Sequence, residues 1–358
     1  MLANTATRSC WMTMLSTPDR IDAALDLVPG AETEFTSIED HSALAGLLPL
    51  PTRRPKRNPL DPAHLVYAPA WFRLAALAAG VGALGLRRLG WPAVAGLGAI
   101  GAAGMFYATR FEPASPTLEH VTLWFPELPA GLDRLRIGQI TDPHLGLRYT
   151  EQNLAWAVEQ LRREQPELIA VTGDLAGLKA GVPQIVPLLS PLRAPLGVYA
   201  VPGNHDYWEG LSDVQAALGL AGIPLLMNRN LRLRWNGADF WLAGIDDIFD
   251  GDPNFAAACA GIPSQAFKLL LAHSPDIAVD AAGHGFALQL SGHSHGGHLR
   301  LPQLGAFTHP RYGARYVMGH YRVGSMQLYV SRGLGGAPLR LLCRPEVTII
   351  TLRRGLAR

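Results

Sequence analysis

Between Leu135 and Leu352 the chain repeats one device eight times: an apolar run of five to seven residues that stops at a polar residue, a glycine or a proline. Such runs are too short for ordinary helices, and continuous enough to be strands buried on both faces. They are "LRIGQIT" (135–141), "LIAVT" (168–172), "GVYAV" (197–201), "FWLAGI" (240–245), "KLLLA" (268–272), "ALQLS" (287–291), "MQLYVS" (326–331) and "VTIITL" (347–352). Intervening segments such as "EQNLAWAVEQLRRE" carry apolar residues at helical spacing. The alternation predicts an α/β fold of two packed mixed β-sheets flanked by helices.

Five of these runs deliver metal-binding types of side chain directly after the strand. Asp142-Pro143-His144 follows the first, Gly173-Asp174 the second, and Gly203-Asn204-His205-Asp206 the third; His273 follows the fifth, and Gly292-His293-Ser294-His295 the sixth. Ligands gather at the carboxyl ends of strands in α/β sheets, so separate segments can meet in one place. A lone Asp-x-His or His-x-His is weak, because most histidines are surface or satisfied core residues. Five in series on predicted strand ends are not explained that way.

The donor types suit a pair of cations. Residues at i and i+2 of an extended chain face the same way, so Asp142 with His144, and His293 with His295, can each serve one cluster. A carboxylate such as Asp174 can bridge two ions, and an amide oxygen such as that of Asn204 is a neutral ligand. Oxygen and nitrogen donors without thiolate fit Mn, Fe or Zn. Two such ions lower the pKa of a bridging water and clamp a phosphoryl group.

The ordered set "DPH", "GD", "GNHD", "H" and "GHSH" resembles the calcineurin-like metallophosphoesterase superfamily over roughly Leu135 to Leu352. The resemblance implies an αββα sandwich with Asp142, His144 and His295 on one metal, Asn204, His273 and His293 on the other, and Asp174 between them. It implies that His205 contacts the phosphate and protonates the leaving oxygen while a metal-bridging hydroxide attacks. The apolar N-terminal segment, "AGIDD", "GHSHGGHLRLPQLGAF" and "YVSRGLGGAPLRLLCRPEVTIITL" are similar to a membrane-associated bacterial branch. Asp246 and Asp247 of "AGIDD" are either site supports or solvated turn acids. Gly296 and Gly297 allow close backbone approach beside His295. Arg332 is a phosphate contact or a solvated surface charge.

Two departures from the family pattern matter. Gly177 stands where many relatives carry a second aspartate that orients the catalytic histidine, leaving Asp206 or a backbone carbonyl for that task. The arginine signatures of serine/threonine protein phosphatases are absent from "GDLAGLK" and "GNHDYWEG", which disfavours phosphoprotein substrates. Tyr207 and Trp208 either meet a substrate ring or pack under their loop. The implied reaction is hydrolysis of a phosphodiester, pyrophosphate or phosphomonoester, with lipid-linked or envelope substrates favoured by the branch. A non-catalytic membrane scaffold or a metal-dependent binding module is the alternative; loss of ligands would be its signature, and none of the seven ligand positions is lost.

Ahead of this domain the texture differs. Residues 1–63 mix acids, Ser, Thr and Pro and end in "TRRPKRNP", as a flexible tail does. Residues 64–111 hold two apolar runs, Leu65–Leu86 and Trp91–Thr109, each near the ~20 residues that cross a bilayer as helix. They predict a membrane hairpin turning at Arg87-Arg88-Leu89-Gly90, or a single span, or two helices packed on the catalytic domain, residues 112–358. The chain is thus expected at the cell membrane, with the side of the catalytic domain open, because the arginines on the two sides of the first run conflict. A formal net charge of +2 gives no field for nucleic acid. Cys10, Cys259 and Cys343 are too far apart in sequence for a zinc-finger spacing or a disulfide framework.

Overall fold

The computed structural model of the protein describes residues 90–301, 305–306, 308 and 310–356, together with Gly80. The expected tail, the first apolar run and the arginine turn lie outside the described residues. The second apolar run is a helix, α1 (Trp91–Phe106), opened by Gly90 at φ 78° and by Pro92 in its first turn. It runs on through a π turn (Tyr107–Phe111) and a 3-10 turn (Glu112–Ala114). No residue of α1 is buried, so it does not pack on the catalytic domain. The stretch Trp91–Ala114 is long and apolar enough to cross a membrane.

In chain order there follow β1 (Thr117–Phe125), β2 (Arg136–Ile140), α2 (Thr150–Glu164), β3 (Leu168–Thr172), α3 (Ile185–Leu189) and β4 (Val198–Val201). Next come α4 (Asn204–Glu209), α5 (Leu211–Leu220), β5 (Arg229–Trp235), β6 (Ala238–Gly244), α6 (Phe255–Ala258), β7 (Lys268–Leu271), α7 (Ala278–Gly283) and β8 (Leu288–Ser291). Two short strands, β9 (Arg300–Leu301) and β10 (Gly305–Ala306), precede β11 (Gly319–Val323), β12 (Met326–Val330) and β13 (Glu346–Arg354).

The strands form two mixed sheets in the orders β1-β13-β2-β3-β4 and β11-β12-β8-β7-β6-β5. All eight apolar runs are strands. Alternation within each explains the layering. In β3, Leu168 and Ala170 join Phe240, Leu242, Leu269, Leu288 and Tyr329 of the other sheet in one apolar cluster. Ile169 and Val171 pack on the other face with Leu154, Leu161, Val214 and Leu218 of α2 and α5. A third cluster covers the far face of the second sheet, with Leu270, Leu328 and Val330 against Ala278 and Ala281 of α7. The architecture is helix, sheet, sheet, helix.

Sheet direction decides where chemistry can gather. β2, β3 and β4 are parallel neighbours, as are β6, β7, β8 and β12. Their carboxyl ends therefore open on one edge of each sheet, and the five strand-end motifs emerge there.

Candidate metal centre

Five of the seven candidate ligands sit where few side chains do. Asp142, His144, Asp174, His293 and His295 all have φ between 49° and 68°. The left-handed region costs a non-glycine residue about 1–2 kcal/mol, and clusters of such strain mark functional sites. Each tight turn is held from behind. Gly173 accepts from the Asp142 N–H at 3.0 Å, Asp174 O accepts from the His144 N–H at 3.0 Å, and Asp142 O accepts from the Gly335 N–H at 2.7 Å.

The side chains converge in two groups that share one carboxylate: Asp142, His144, Asp174 and His295, and Asp174, His273 and His293. In the first, His144 Nε2 is 3.1 Å from His295 Nε2 and 3.4 Å from Asp174 Oδ2, and His295 Nε2 is 3.4 Å from Asp142 Oδ1. In the second, His273 Nε2 is 3.2 Å from the same Asp174 Oδ2 and 3.1 Å from His293 Nδ1. Ligand bonds of about 2.1 Å to a first-row divalent ion set donor separations of roughly 3.0 Å in octahedral and 3.4 Å in tetrahedral geometry. The observed separations fit that range.

The far side of each ring settles its tautomer in the second group. His273 Nδ1 donates to Thr172 O at 2.8 Å, and His293 Nε2 donates to Arg311 O. Carbonyl acceptors there leave His273 Nε2 and His293 Nδ1 as the two nitrogens that face each other and are free to ligate, the arrangement that ligating histidines adopt. Asn204 is 3% exposed at the start of α4, and its Oδ1 is buried without a protein hydrogen-bond partner. A buried amide oxygen with no donor is costly. Paired imidazole lone pairs and an orphaned amide oxygen are what a cation site presents, and the residues fit a pair of divalent ions.

Electrostatics agree with the pairing. Burial would raise Asp174, but positive charge on His273 holds it well below the carboxylate range. His273 moves the opposite way: burial would lower it, and Asp174 raises it further. A proton on His273 Nε2 and a cation compete for one position, so loading metal releases a proton. Burial, then the charges of His298 and His144, push His295 well below the usual histidine range, which favours its ligand form.

His205 lies against the first group, its ring centroid 4.5 Å from that of His144 and nearly perpendicular. Its backbone N–H donates to Asp174 Oδ1 at 2.8 Å, while its ring Nδ1 is buried without a hydrogen-bond partner. Burial pushes His205 down to about 3, with Asp174 opposing. The free site thus holds a neutral imidazole.

The structure corrects three expectations. Asp206 does not orient His205: its Oδ1 accepts from the Leu175 and Ala176 N–H groups at 2.8 and 3.2 Å, and its Oδ2 accepts from Gly203 N–H at 2.9 Å. It knits two ligand loops together. Burial and the Asp174 charge push it up to about 7, against the pull of those amides. Asp246 and Asp247 are not solvated turn acids, being 6% and 1% exposed; Asp246 accepts from Tyr207 Oη at 2.5 Å, and Asp247 Oδ1 accepts from two N–H groups of its own turn. Arg332 is neither a phosphate contact nor a surface charge, since it pairs with Glu119 and Glu346.

Gly177 has a local reason: a Cβ there would lie 2.8 Å from His144 O and 3.0 Å from His144 Cβ, so this turn leaves no room for an aspartate. Gly296 and Gly297 are equally confined, by Cys343 Sγ at 2.6 Å and Ala306 Cβ at 2.4 Å.

Sequence reasoning missed an aromatic border. The Trp208 ring centroid is 4.3 Å from that of His205 and 5.9 Å from that of Phe249, which is 5.7 Å from Tyr312 and 6.4 Å from His293. Arg311 lies over Phe249 and Tyr312 at 5.5 and 4.7 Å. Three distant segments build it, which no local pattern could show. Trp208 itself is pinned by its Nε1–H to Asp250 at 2.6 Å.

Comparison with known proteins meets this geometry. Residues 135–320 match the family model described as calcineurin-like phosphoesterase. The chain is 35% identical over 270 residues to the uncharacterized metallophosphoesterase YkuE of Bacillus subtilis, covering 72% of this chain and 92% of that protein. It is 36% identical over 159 residues to the phosphodiesterase YaeI of Escherichia coli, covering 43% of this chain and 57% of that one. A transmembrane protein with metallophosphoesterase domain from Danio rerio is 30% identical over 67% of this chain and 58% of its own length. By motif order, fold and relatives, this chain belongs to the calcineurin-like phosphoesterase family and is a metal-dependent phosphoester hydrolase that uses a pair of divalent cations.

Proposed function

We propose that the protein hydrolyses a phosphate ester presented at a bilayer surface, with α1 as its anchor. The observation that carries the catalytic part is the shared carboxylate: Asp174 Oδ2 stands within 3.4 Å of His144 and 3.2 Å of His273, one from each donor group. Asp142, His144 and His295 would hold one ion and Asn204, His273 and His293 the other, with Asp174 common to both donor groups. Bound there, the two cations, Mn, Fe or Zn on this donor set, supply a nucleophile from water near neutral pH and neutralise phosphoryl charge.

The chain's own groups do the rest. His205, neutral in the free site, faces the phosphate, whose negative charge raises the ring so that it takes up a proton from solvent and, as imidazolium, passes that proton to the leaving oxygen and returns to the neutral form. The alcohol half leaves past Trp208, Phe249 and Tyr312, which border His205. Asp206 positions the loops of Asp174 and Asn204 without touching substrate.

The bilayer part is supported by the exit from α1. Arg340 N–H donates to Ala108 O at 2.8 Å, and its guanidinium lies 3.5 Å from His295 Nδ1. With bonds near 1.5 Å that path spans no more than about 17 Å. Trp91, 72% exposed, marks one end of the apolar stretch, and Phe106, Tyr107 and Phe111, 57%, 45% and 55% exposed, mark the other, as interfacial aromatics do.

The test is substrate presentation. Full-length protein in lipid nanodiscs, supplied with Mn, should release phosphate or alcohol faster from a phosphate ester embedded in the same bilayer than from its short-chain soluble counterpart at equal bulk concentration. Equal rates would refute the bilayer part and leave the hydrolase standing.

A further inference from the structure

The strongest unexplained group in the molecule is Arg340. It is 1% exposed, the largest of the fully buried side chains, and forms no ion pair among the described residues. Its fork instead donates to four carbonyls: Gly335 O at 2.7 Å, Arg332 O at 3.0 Å, Cys343 O at 3.2 Å and Gly333 O at 3.3 Å. A buried charge beside a cation site costs stability that an apolar side chain of similar size would not. What only a planar, five-donor group supplies here is geometry.

The loop that this fork gathers, residues 332–343, backs the first donor group. Gly335 N–H donates to Asp142 O at 2.7 Å and Leu334 N–H donates to Thr141 O at 3.1 Å. A Cβ on Gly333 would stand 2.7 Å from Asp142 Cβ, and one on Gly336 would stand 2.7 Å from His295 Cε1, so the loop lies directly against both ligands. Cys343 Sγ donates to His295 O at 3.2 Å. The guanidinium itself lies 3.5 Å from His295 Nδ1, and when Nε2 faces a metal both of those nitrogens are donors.

The same loop is joined on its other side to the turn that leaves α1. Besides the Arg340–Ala108 bond, Cys343 N–H donates to Glu112 Oε1, and Asn153 Nδ2 bridges Pro113 O at 2.8 Å and Leu334 O at 2.9 Å. Tyr149 Oη donates to Thr109 O at 3.4 Å. Every contact in this chain of bonds is on the Asp142/His295 side. The carbonyls behind His273 and His293 belong to Thr172 and Arg311.

We propose that Arg340 is a positioning residue of the metal centre, through which the turn leaving the apolar helix sets the placement of Asp142 and His295. The proposal rests on the ligand assignment above and goes beyond it: the anchor's last turn is a working part of one metal site and not a passive tether. Partners of this outer kind set metal affinity by about 10- to 100-fold.

The experiment uses the full-length chain in detergent or nanodiscs, with Arg340→Met, Arg340→Lys and Asn153→Ala beside wild type. Mn affinity and stoichiometry are read by competition with a chromophoric chelator and by mass spectrometry, and folding by circular dichroism. Wild type should hold two ions. In folded Arg340→Met and Asn153→Ala, one ion should weaken by about 10- to 100-fold while the other is kept, with hydrolysis recovered at correspondingly higher Mn. Arg340→Lys keeps the charge but not the fork and should behave like Arg340→Met. Two ions at wild-type affinity in every folded variant overturn the proposal, as does equal weakening of both ions. Should Arg340→Met not fold, Asn153→Ala, which touches no ligand, decides alone. A wild type without metal would instead overturn the ligand assignment.

Discussion

Gly203→Ala isolates the placement of Asp174 from its chemistry. Gly203 has φ −116°, which any residue adopts, so the added methyl brings no backbone strain. Its Cβ would stand 2.3 Å from Asp174 Oδ1 and 2.5 Å from Asp174 N, where ordinary contact begins at 3.4 Å, so the carboxylate must retreat by 1.1 Å. Metal-ligand distances tolerate about 0.2 Å, so the retreat exceeds what a coordination shell accepts about fivefold. Overpacking of this kind costs about 1–3 kcal/mol, which a domain of this size survives. The expected variant is folded, with a lowered melting temperature, and carries only traces of metal after dialysis, with hydrolysis lost in proportion. Gly219→Ala is the matched control, because nothing lies within 4 Å of its Cβ on α5; it should be neutral or stabilising by about 0.5–1 kcal/mol. Folded Gly203→Ala holding two ions at wild-type affinity would refute the claim that Asp174 is held in register by this contact.

Other perturbations separate the roles. His205→Ala should keep both ions and slow hydrolysis by ~10²-fold or more, most with poor leaving groups; equal loss on good and poor leaving groups argues against the acid role. Asp206→Ala strands three buried N–H groups, each worth about 1–3 kcal/mol, so it should lower the urea midpoint sharply; unchanged stability with lost turnover would restore Asp206 to the reaction. Acid should destabilise the chelated protein. Burial pushes His205 to about 3 and His293 to about 4 and also lowers His295 and His298, so below 6.5 the folded chain binds fewer protons than the unfolded one. His273, raised by Asp174, and Asp206 and Asp247, each pushed up to about 7 by burial, have the opposite sign, three groups against four. A urea midpoint at pH 5 equal to or above that at pH 7 contradicts this balance.

How much was legible from sequence follows from how local each signal is. The central strands are buried on both faces, so "LIAVT" and "KLLLA" are continuous apolar runs and all eight such runs were readable. The strands that went unread are β1, β5 and β11, with the short β9 and β10. β1, β5 and β11 lie at sheet edges, where half-buried Glu119 and exposed Arg232 and Arg322 interrupt the pattern with charge. Ligand types at strand ends were visible because parallel strands bring their carboxyl ends to one edge. The task of Asp206 was not, since a carboxylate beside a ligand looks the same in sequence whether it faces substrate or three amides. Arg340 gave no sign: "LRLLCRPE" reads as a strand approach, and only folding puts its arginine under His295. Glu112 and the aromatic border likewise draw meaning from partners far away in the chain.

The central claim is a pair of cations sharing Asp174, and metal count with chemistry on one sample tests it most directly. Full-length protein is to be assayed for metal by mass spectrometry and for hydrolysis of bis-p-nitrophenyl phosphate, before chelation, after chelation and after Mn is returned, with Asp174→Asn in parallel. The account predicts two ions per wild-type chain, activity that leaves and returns with them, and neither in Asp174→Asn. Folded wild type that hydrolyses the ester without metal, or Asp174→Asn that keeps two ions and full turnover, would contradict it.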